Sequence, residues 1–283
     1  MKVPLKLRLL LPGLLWLIAF YLLPMLLLGA VSLATHSKEG IVWDLTLANL
    51  LRFFEPLYLK VFLRSVLLAG IATFLCAALA FPLSWWMARL ERPWRDTAVL
   101  LVLIPFWTNI LVRLYAWMFI LGHGGLLNTA LLHLGVLDKP LQVLFTRPAV
   151  LLGLVYGQLP FMVLPLYATL EKVDPSLIDA ARDLYAPPLQ VFRKVLLPLS
   201  LPGLVAGSVL VFTSILCDFV TPDLLGGAKQ AMIGNVIAQQ YLVVRDWPFG
   251  SALSIVQMLL AGAAAFVFLR HERSEGSELR GMA

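Results

Sequence analysis

Long apolar stretches alternate with short charged segments along this chain of 283 residues. Five runs contain no Asp, Glu, Lys or Arg, and they cover residues 9–35, 65–88, 148–170, 195–217 and 247–269. A helix that crosses a membrane needs about 20 apolar residues, because it rises about 1.5 Å per residue through roughly 30 Å of hydrocarbon. Each of these runs is therefore predicted to be a membrane-spanning helix.

A sixth run, 97–121, is interrupted only by Arg113. Arg113 lies near one end of the run, where a long side chain can snorkel to the interface or pair with a carboxylate. We therefore predict an all-α integral membrane protein with six spanning helices, in which residues 1–283 form a single transmembrane domain. The spans are expected near 9–34, 64–88, 97–121, 148–170, 199–222 and 247–269. The first run is much longer than the roughly 7–15-residue core of a secretory signal, so it is interpreted as a span.

Composition supports lipid as the main solvent of this protein. Hydrophobic residues make up 60% of the chain and charged residues 13%, whereas soluble domains carry roughly 25% charged residues. The net charge of +6 lies mostly in Lys and Arg between the apolar runs, which indicates membrane interfaces rather than nucleic acid. Basic residues precede the first run and follow the second, fourth and sixth, so both termini are predicted to be cytoplasmic.

The loop after the fourth span, 171–198, is the most informative connection. Asp174 is a good N-cap and Pro175 suits a first helical position, so two short helices are expected near 175–185 and 188–196. Ala180 and Ala181 would let another backbone approach closely, with charged residues around them. From these residues alone, the loop is either a docking site for a soluble partner or a simple connector.

The spacing in this loop resembles the EAA loop of ABC importer permeases. The family pattern reads Glu-Ala-Ala, three residues, Gly, nine residues, Ile, any residue, Leu-Pro. Ala180, Ala181, Leu197 and Pro198 match this pattern, and Asp179 and Val195 are conservative departures. Tyr185 replaces the Gly, and Tyr resists the left-handed turn that Gly permits, so the resemblance does not fix the turn geometry at this position.

Other segments resemble the spermidine/putrescine branch of that family, and most closely the first, PotB-type, of its two permease subunits. The segments are Phe106-Trp107-Thr108-Asn109, Arg113-Leu114-Tyr115-Ala116-Trp117, 218–227, 232–235 and 246–250. The resemblance implies an ATP-driven importer subunit of the bacterial inner membrane that works by alternating access. It further implies a cytosolic ATPase dimer, a second homologous permease subunit and an extracytoplasmic solute-binding protein. The implied ATPase-coupling residues are Asp179, Ala180, Ala181, Arg182, Asp183, Tyr185, Leu197 and Pro198.

If the cargo is a polyamine, acidic and aromatic residues within or near the membrane spans are candidates for binding it. Carboxylates attract a polycation, and aromatic faces attract it by about 0.5–2 kcal/mol each. The candidate residues for the substrate path are Asp218, Asp223, Trp107, Tyr115, Trp117 and Tyr156. The same Trp and Tyr side chains are equally typical of the aromatic belts at membrane interfaces.

The chain carries no recognisable catalytic or nucleotide-binding motif. The spacing G-x-x-x-x-G-K-[ST] is missing, so ATP with Mg²⁺ is expected on the partner ATPase and no cofactor on this chain. The four His residues are scattered, and Cys76 and Cys217 lie in apolar runs, so neither a metal site nor an enzyme is predicted. The alternatives are an importer subunit for another solute, such as an opine or an iron complex, and a secondary transporter that acts alone.

Overall fold

The computed structural model describes residues 5–37 and 40–281, and most of them are helical. The helices and strands are α1 Leu5–Leu17, α2 Leu23–Ser32, β1 Thr35–Ser37, β2 Gly40–Val42, α3 Ala48–Arg52, α4 Pro56–Ala88, α5 Arg92–Trp107, α6 Ile110–Leu121, α7 Leu126–His133, α8 Arg147–Leu170, α9 Ser176–Asp183, α10 Pro188–Val191, α11 Leu197–Cys217, α12 Ile233–Gln239 and α13 Trp247–Gly281. Turns of π-helix lie at Ile18–Leu22, Phe192–Leu196, Pro222–Gly226 and Gln240–Val244, and a 3-10 turn lies at Ala228–Gln230. The ends of the predicted domain, 1–4 and 282–283, lie outside the described residues.

Six helical segments within the described residues are long and apolar enough to cross a membrane. They are Leu10–Ser32, Pro56–Ala88, Ile110–His133, Arg147–Leu170, Pro188–Cys217 and Trp247–Phe266. The predicted all-α class and the number of spans are therefore confirmed. Hydropathy located each apolar segment, but the helices begin and end at residues that the pattern did not single out.

The predicted third span, 97–121, is wrong as a continuous helix. Thr108 and Asn109 are extended and separate α5 from α6. The side chain of Asn109 accepts a hydrogen bond from the N–H of Leu111 at 2.8 Å, so it caps the new helix. A single polar residue thus restarts the helix inside an apolar run, and the third apolar segment continues instead through α7.

The predicted fifth span, 199–222, has different ends in the structure. The second short helix of the 171–198 loop runs through a π turn directly into α11, so the apolar segment begins at Pro188. It ends at Cys217 because the next residue, Asp218, is extended. The side chain of Asp218 then starts a separate helical segment.

Residues 5–37, 40–61 and 236–260 form one compact unit. Within it, the side-chain amide of Asn49 donates to the carbonyls of Ser32 and Ala34, which fixes α3 near the end of α2. Asp246 is buried, accepts from the N–H of Phe249 at 3.2 Å and pairs with Arg52 at 2.8 Å. This carboxylate therefore caps α13 and holds α3 to it.

Residues 62–235 and 261–281 form the other compact unit, which contains the candidate functional residues. Its best-packed pair of helices is α8 and α11. A Cβ added at Gly207 would lie 2.8 Å from Met162 Sδ, and one at Gly203 would lie 2.6 Å from the carbonyl oxygen of Pro165. Small residues on α11 thus allow the close approach of helices that is typical of membrane bundles.

Candidate functional site

The 171–198 hairpin, which follows α8, consists of α9, α10 and the start of α11. Asp174 Oδ1 accepts a hydrogen bond from the N–H of Ser176 at 2.9 Å, which satisfies one of the free donors at the start of α9. The same bond lowers the pKa of Asp174 below its ordinary value. The helix predicted near 175–185 is present as α9, but it begins one residue later, at Ser176, with Pro175 at the N-cap and Asp174 before it.

Apolar side chains hold this hairpin against the rest of its unit. Ile178 on α9 is only 2% exposed, and Val191 and Leu196 on the second arm are also buried. Phe192 packs edge-to-face on Phe81 of α4, with ring centroids 5.0 Å apart. Both arms of the hairpin are thus anchored to the rest of the unit.

The opposite face of α9 presents charged and small residues to the outside. Asp179, Arg182 and Asp183 are exposed, as is Ala180, while Ala181 is half-buried. Arg182 and Asp179 form an ion pair at 3.5 Å, but both side chains are more than 60% exposed. An exposed pair of this kind contributes at most about 1 kcal/mol, so these charges remain available to a partner.

Tyr185 occupies the left-handed turn that the Gly of the family pattern would permit, so the replacement of Gly leaves that turn in place. Its φ is +56°, its N–H donates to the carbonyl of Arg182, and the N–H of Ala186 donates to the carbonyl of Ala181. These two bonds form a Schellman motif, which ends a helix and usually places Gly at this position. A left-handed conformation costs an L-residue about 1–2 kcal/mol, so Tyr185 is strained.

The last two predicted coupling residues, Leu197 and Pro198, begin α11 rather than joining the exposed face of α9. Leu197 is half-buried and Pro198 is exposed. Proline is tolerated there as α11 begins. These residues therefore connect the hairpin to the fifth span.

An ion pair that sequence reasoning missed links the start of the hairpin to α5. Arg95 Nη1 lies 3.0 Å from Glu171 Oε1, and both side chains are partly buried. Glu171 ends α8 and Arg95 lies in the first turn of α5. The pair joins residues that are 76 positions apart (171 − 95), and no sequence pattern marks such a contact.

The predicted aromatic residues do not converge on one point. Trp117 on α6 and Tyr156 on α8 meet edge-to-face, with centroids 5.5 Å apart. Trp107 and Tyr115 are instead exposed, Trp107 to 81%. The structure thus brings together one pair of the four.

Asp218 and Asp223 have different surroundings. Asp218 Oδ1 accepts from the N–H groups of Val220 and Thr221, each at 3.0 Å, and its Oδ2 accepts from the hydroxyl of Thr221 at 2.6 Å. Asp223 is exposed, and its carboxylate has no hydrogen bond or ion pair to any described residue. Asp218 therefore caps a helix, whereas the Asp223 carboxylate is free to meet a cation.

Arg113 has no carboxylate partner within residues 5–37 and 40–281. Its Nε and Nη1 are buried without a hydrogen bond in this part of the chain, and its guanidinium carbon lies 5.6 Å from the ring centroid of Phe106. The predicted pairing with a carboxylate is thus not formed inside the described chain. Buried N–H groups without an acceptor are costly, and within the described residues the Phe106 ring attracts this guanidinium.

Polar contacts that the sequence did not reveal hold the 218–235 segment, which follows α11. Arg64 on α4 donates to the carbonyls of Lys229 and Ala231. Ser65 Oγ accepts from the N–H of Ile233 at 2.8 Å. Asn235 accepts from the N–H of Met232 and donates to the carbonyl of Phe219. Only the presence of Arg64 at the start of an apolar run was a usable signal.

Metal ligands are not grouped in the part of the chain that the structure describes. No three His, Cys, Asp or Glu side chains there are close enough to hold an ion. What the described residues present is an anchored hairpin with an exposed charged face and, at Asp223, an exposed carboxylate.

The chain is similar in sequence to known transport proteins and in fold to solved ones. Residues 80–271 match the family described as binding-protein-dependent transport system inner membrane component. The chain is 44% identical over 259 residues to the spermidine/putrescine transport system permease protein PotB of Escherichia coli (strain K12), covering 91% of this chain and 94% of that one. The protein of the same description from Haemophilus influenzae is 44% identical over 256 residues, or 90% of each chain. A bacterial alginate ABC transporter, crystallised with an alginate pentasaccharide-bound periplasmic protein, shares the fold with a TM-score of 0.75 at 19% identity, covering 95% of this chain and 94% of that one.

Proposed function

Because the chain belongs to the family of binding-protein-dependent transport system inner membrane components, we propose that it is a permease subunit of an ATP-driven importer for polyamines such as spermidine and putrescine. One observation carries the choice of cargo: relatives described as spermidine/putrescine permeases are 44% identical over nine-tenths of both chains. Residues 1–283 act as one transmembrane domain in the inner membrane, with both termini in the cytoplasm.

The 171–198 hairpin supports the first of the proposed partners, and the family supports the other two. Its anchored arms and exposed charged face suit a cytosolic ATPase dimer, which binds ATP and Mg²⁺ in place of this chain. A second, homologous permease subunit completes the membrane path, and an extracytoplasmic solute-binding protein delivers the cargo. The chain itself is not an enzyme.

Transport proceeds by alternating access. When the ATPase dimer closes, it pushes on the hairpin, whose buried Ile178 and Val191 carry the force into the bundle. The Arg95–Glu171 ion pair passes the movement to α5, which ends at the break beside Asn109. That break supplies a place where the third apolar run can bend.

The substrate path is lined by acidic and aromatic residues. Asp223 is the main carboxylate and Asp218 a weaker one, since the oxygens of Asp218 are already engaged in a helix cap. Opposite charges about 4 Å apart attract by roughly 4 kcal/mol at an effective dielectric near 20, before desolvation is subtracted. Trp107, Tyr115, Trp117 and Tyr156 contribute aromatic faces.

The test is ATP-dependent uptake by proteoliposomes that contain the full complex and its binding protein. Labelled spermidine, putrescine, an opine, an iron complex and an amino acid are offered in parallel. Spermidine or putrescine is expected to accumulate at least tenfold over the ATP-free control. Uptake of another solute with no polyamine uptake would reassign the cargo, and uptake without any ATPase subunit would make the chain a secondary transporter.

A further inference from the structure

The side chain of Tyr185 is almost wholly outside the fold. It is 96% exposed, and the preceding residue, Leu184, is 82% exposed. The Tyr185 ring makes no hydrogen bond or aromatic contact with any residue of the described ranges. The Tyr185 ring and the Leu184 side chain thus lie next to each other in solvent at the tip of the hairpin. They become buried only if another molecule covers them.

The backbone of Tyr185 makes this placement costly for the protein. The Schellman motif requires the left-handed conformation, with φ at +56°, and Gly or Asn adopts it with less strain than Tyr. The two hydrogen bonds of the motif are made by main-chain atoms of residues 181–186, so they do not depend on the Tyr side chain. The isolated chain would therefore be at least as stable with Gly at this position.

We propose that the ring of Tyr185, with Leu184, inserts into an apolar pocket on the ATPase subunit and is a binding hot spot of that interface. This inference rests on the proposed function of the hairpin. Strained residues persist where they serve a function, and aromatic anchors surrounded by polar side chains dominate binding at many interfaces. The exposed charges of Asp179, Arg182 and Asp183 supply that polar surround on the preceding helix.

The experiment measures the affinity of the purified ATPase for the permease pair in nanodiscs, with four variants of this chain. Tyr185→Gly and Tyr185→Asn keep the turn and remove the ring, and both are expected to weaken binding at least tenfold. Tyr185→Phe keeps the ring and is expected to bind within about twofold of the wild type. The thermal midpoint of the permease pair without ATPase is expected to stay the same or rise in Tyr185→Gly.

The fourth variant, Ala181→Arg, separates this inference from the proposed function. If Ala181→Arg abolishes binding while Tyr185→Gly binds as the wild type does, the ring is not an anchor and only the present inference fails. If Ala181→Arg binds normally, the hairpin is not the docking site. A loss of affinity in Tyr185→Gly together with a lower thermal midpoint would instead assign Tyr185 a structural role and overturn the inference.

Discussion

The 171–198 hairpin and the 218–235 segment lie on either side of the fifth span, and both are anchored by buried apolar side chains, such as Ile178 in the hairpin and Leu225 in the segment. They differ in their polar groups. The charged side chains of α9 in the hairpin point outward with one weak ion pair among them. The 218–235 segment is in addition held by inward polar contacts to Arg64 and Ser65. Outward charges on an anchored element suit the binding of a partner protein. Inward hydrogen bonds instead fix the conformation of the 218–235 segment, and the Asp223 carboxylate is the acidic group of that segment that does not take part in them.

The largest expected effect is at the small-residue face of the hairpin. Ala181→Arg, like Asp183→Arg, is expected to abolish uptake while the protein remains in the membrane, because a large or reversed side chain blocks close docking. Co-purification of the ATPase and uptake are the measurements. Ala48→Arg, at an exposed alanine of α3 outside the six apolar segments, is the control and is expected to retain the ATPase. Normal ATPase binding and uptake by the hairpin variants would remove the docking role.

The next largest effect is expected at Asp223. Asp223→Asn removes the one carboxylate of the 218–235 segment that has no partner in the described chain, so polyamine uptake is expected to fall at least several-fold at normal expression. Uptake is measured per assembled complex. Asp138→Asn, another exposed aspartate, serves as the control and is expected to transport normally. Reduced assembly of Asp223→Asn, with normal transport by the complexes that form, would make Asp223 structural instead.

Two substitutions at Asp218 separate its role as a helix cap from the role of its negative charge in transport. Asp218→Ala removes the acceptor for Val220 and Thr221, so it is expected to destabilise the protein by about 0.5–2 kcal/mol, seen as a lower thermal midpoint. Asn caps helices as well as Asp does, so Asp218→Asn is expected to keep stability and to lower uptake less than Asp223→Asn. Equal thermal midpoints for Asp218→Ala and the wild type would show that the cap contributes little.

The smallest effect concerns the pH dependence of the hairpin. The pKa of Asp174 is lowered in the folded protein, so its cap is present above the unfolded value of about 3.9 and is lost as pH falls through the folded value. Amide exchange at Ser176 is expected to lose protection in that acidic range. Asp174→Asn keeps an acceptor without a titrating group, and its protection is expected not to change with pH there. If the protection of the Ser176 amide changed with pH in the same way in Asp174→Asn and in the wild type, the Asp174 carboxylate would not be the cap.

The sequence predicted the fold class, the six spans and the two arms of the hairpin. Hydropathy predicts which segments enter lipid, and cap residues predict where helices begin. It did not predict where apolar helices stop. The side chains of Asn109 and Asp218 each start a new helical segment. A hydropathy average over the apolar neighbours of these residues does not show such a break. The sequence also left the turn at Tyr185 open, and there the hydrogen bonds of the turn outweigh the residue's own preference. Contacts between distant residues, such as Arg95 with Glu171, leave no local signal.

The most direct measurement is the number of spermidine molecules imported per ATP hydrolysed, with uptake and binding-protein-stimulated ATP hydrolysis recorded in the same proteoliposomes. The proposed roles assign ATPase coupling to the hairpin and cargo attraction to Asp223. Asp223→Asn is therefore expected to hydrolyse ATP at near the wild-type rate and to import several-fold fewer spermidine molecules per ATP. A wild-type ratio in Asp223→Asn would contradict the division of roles between the two regions.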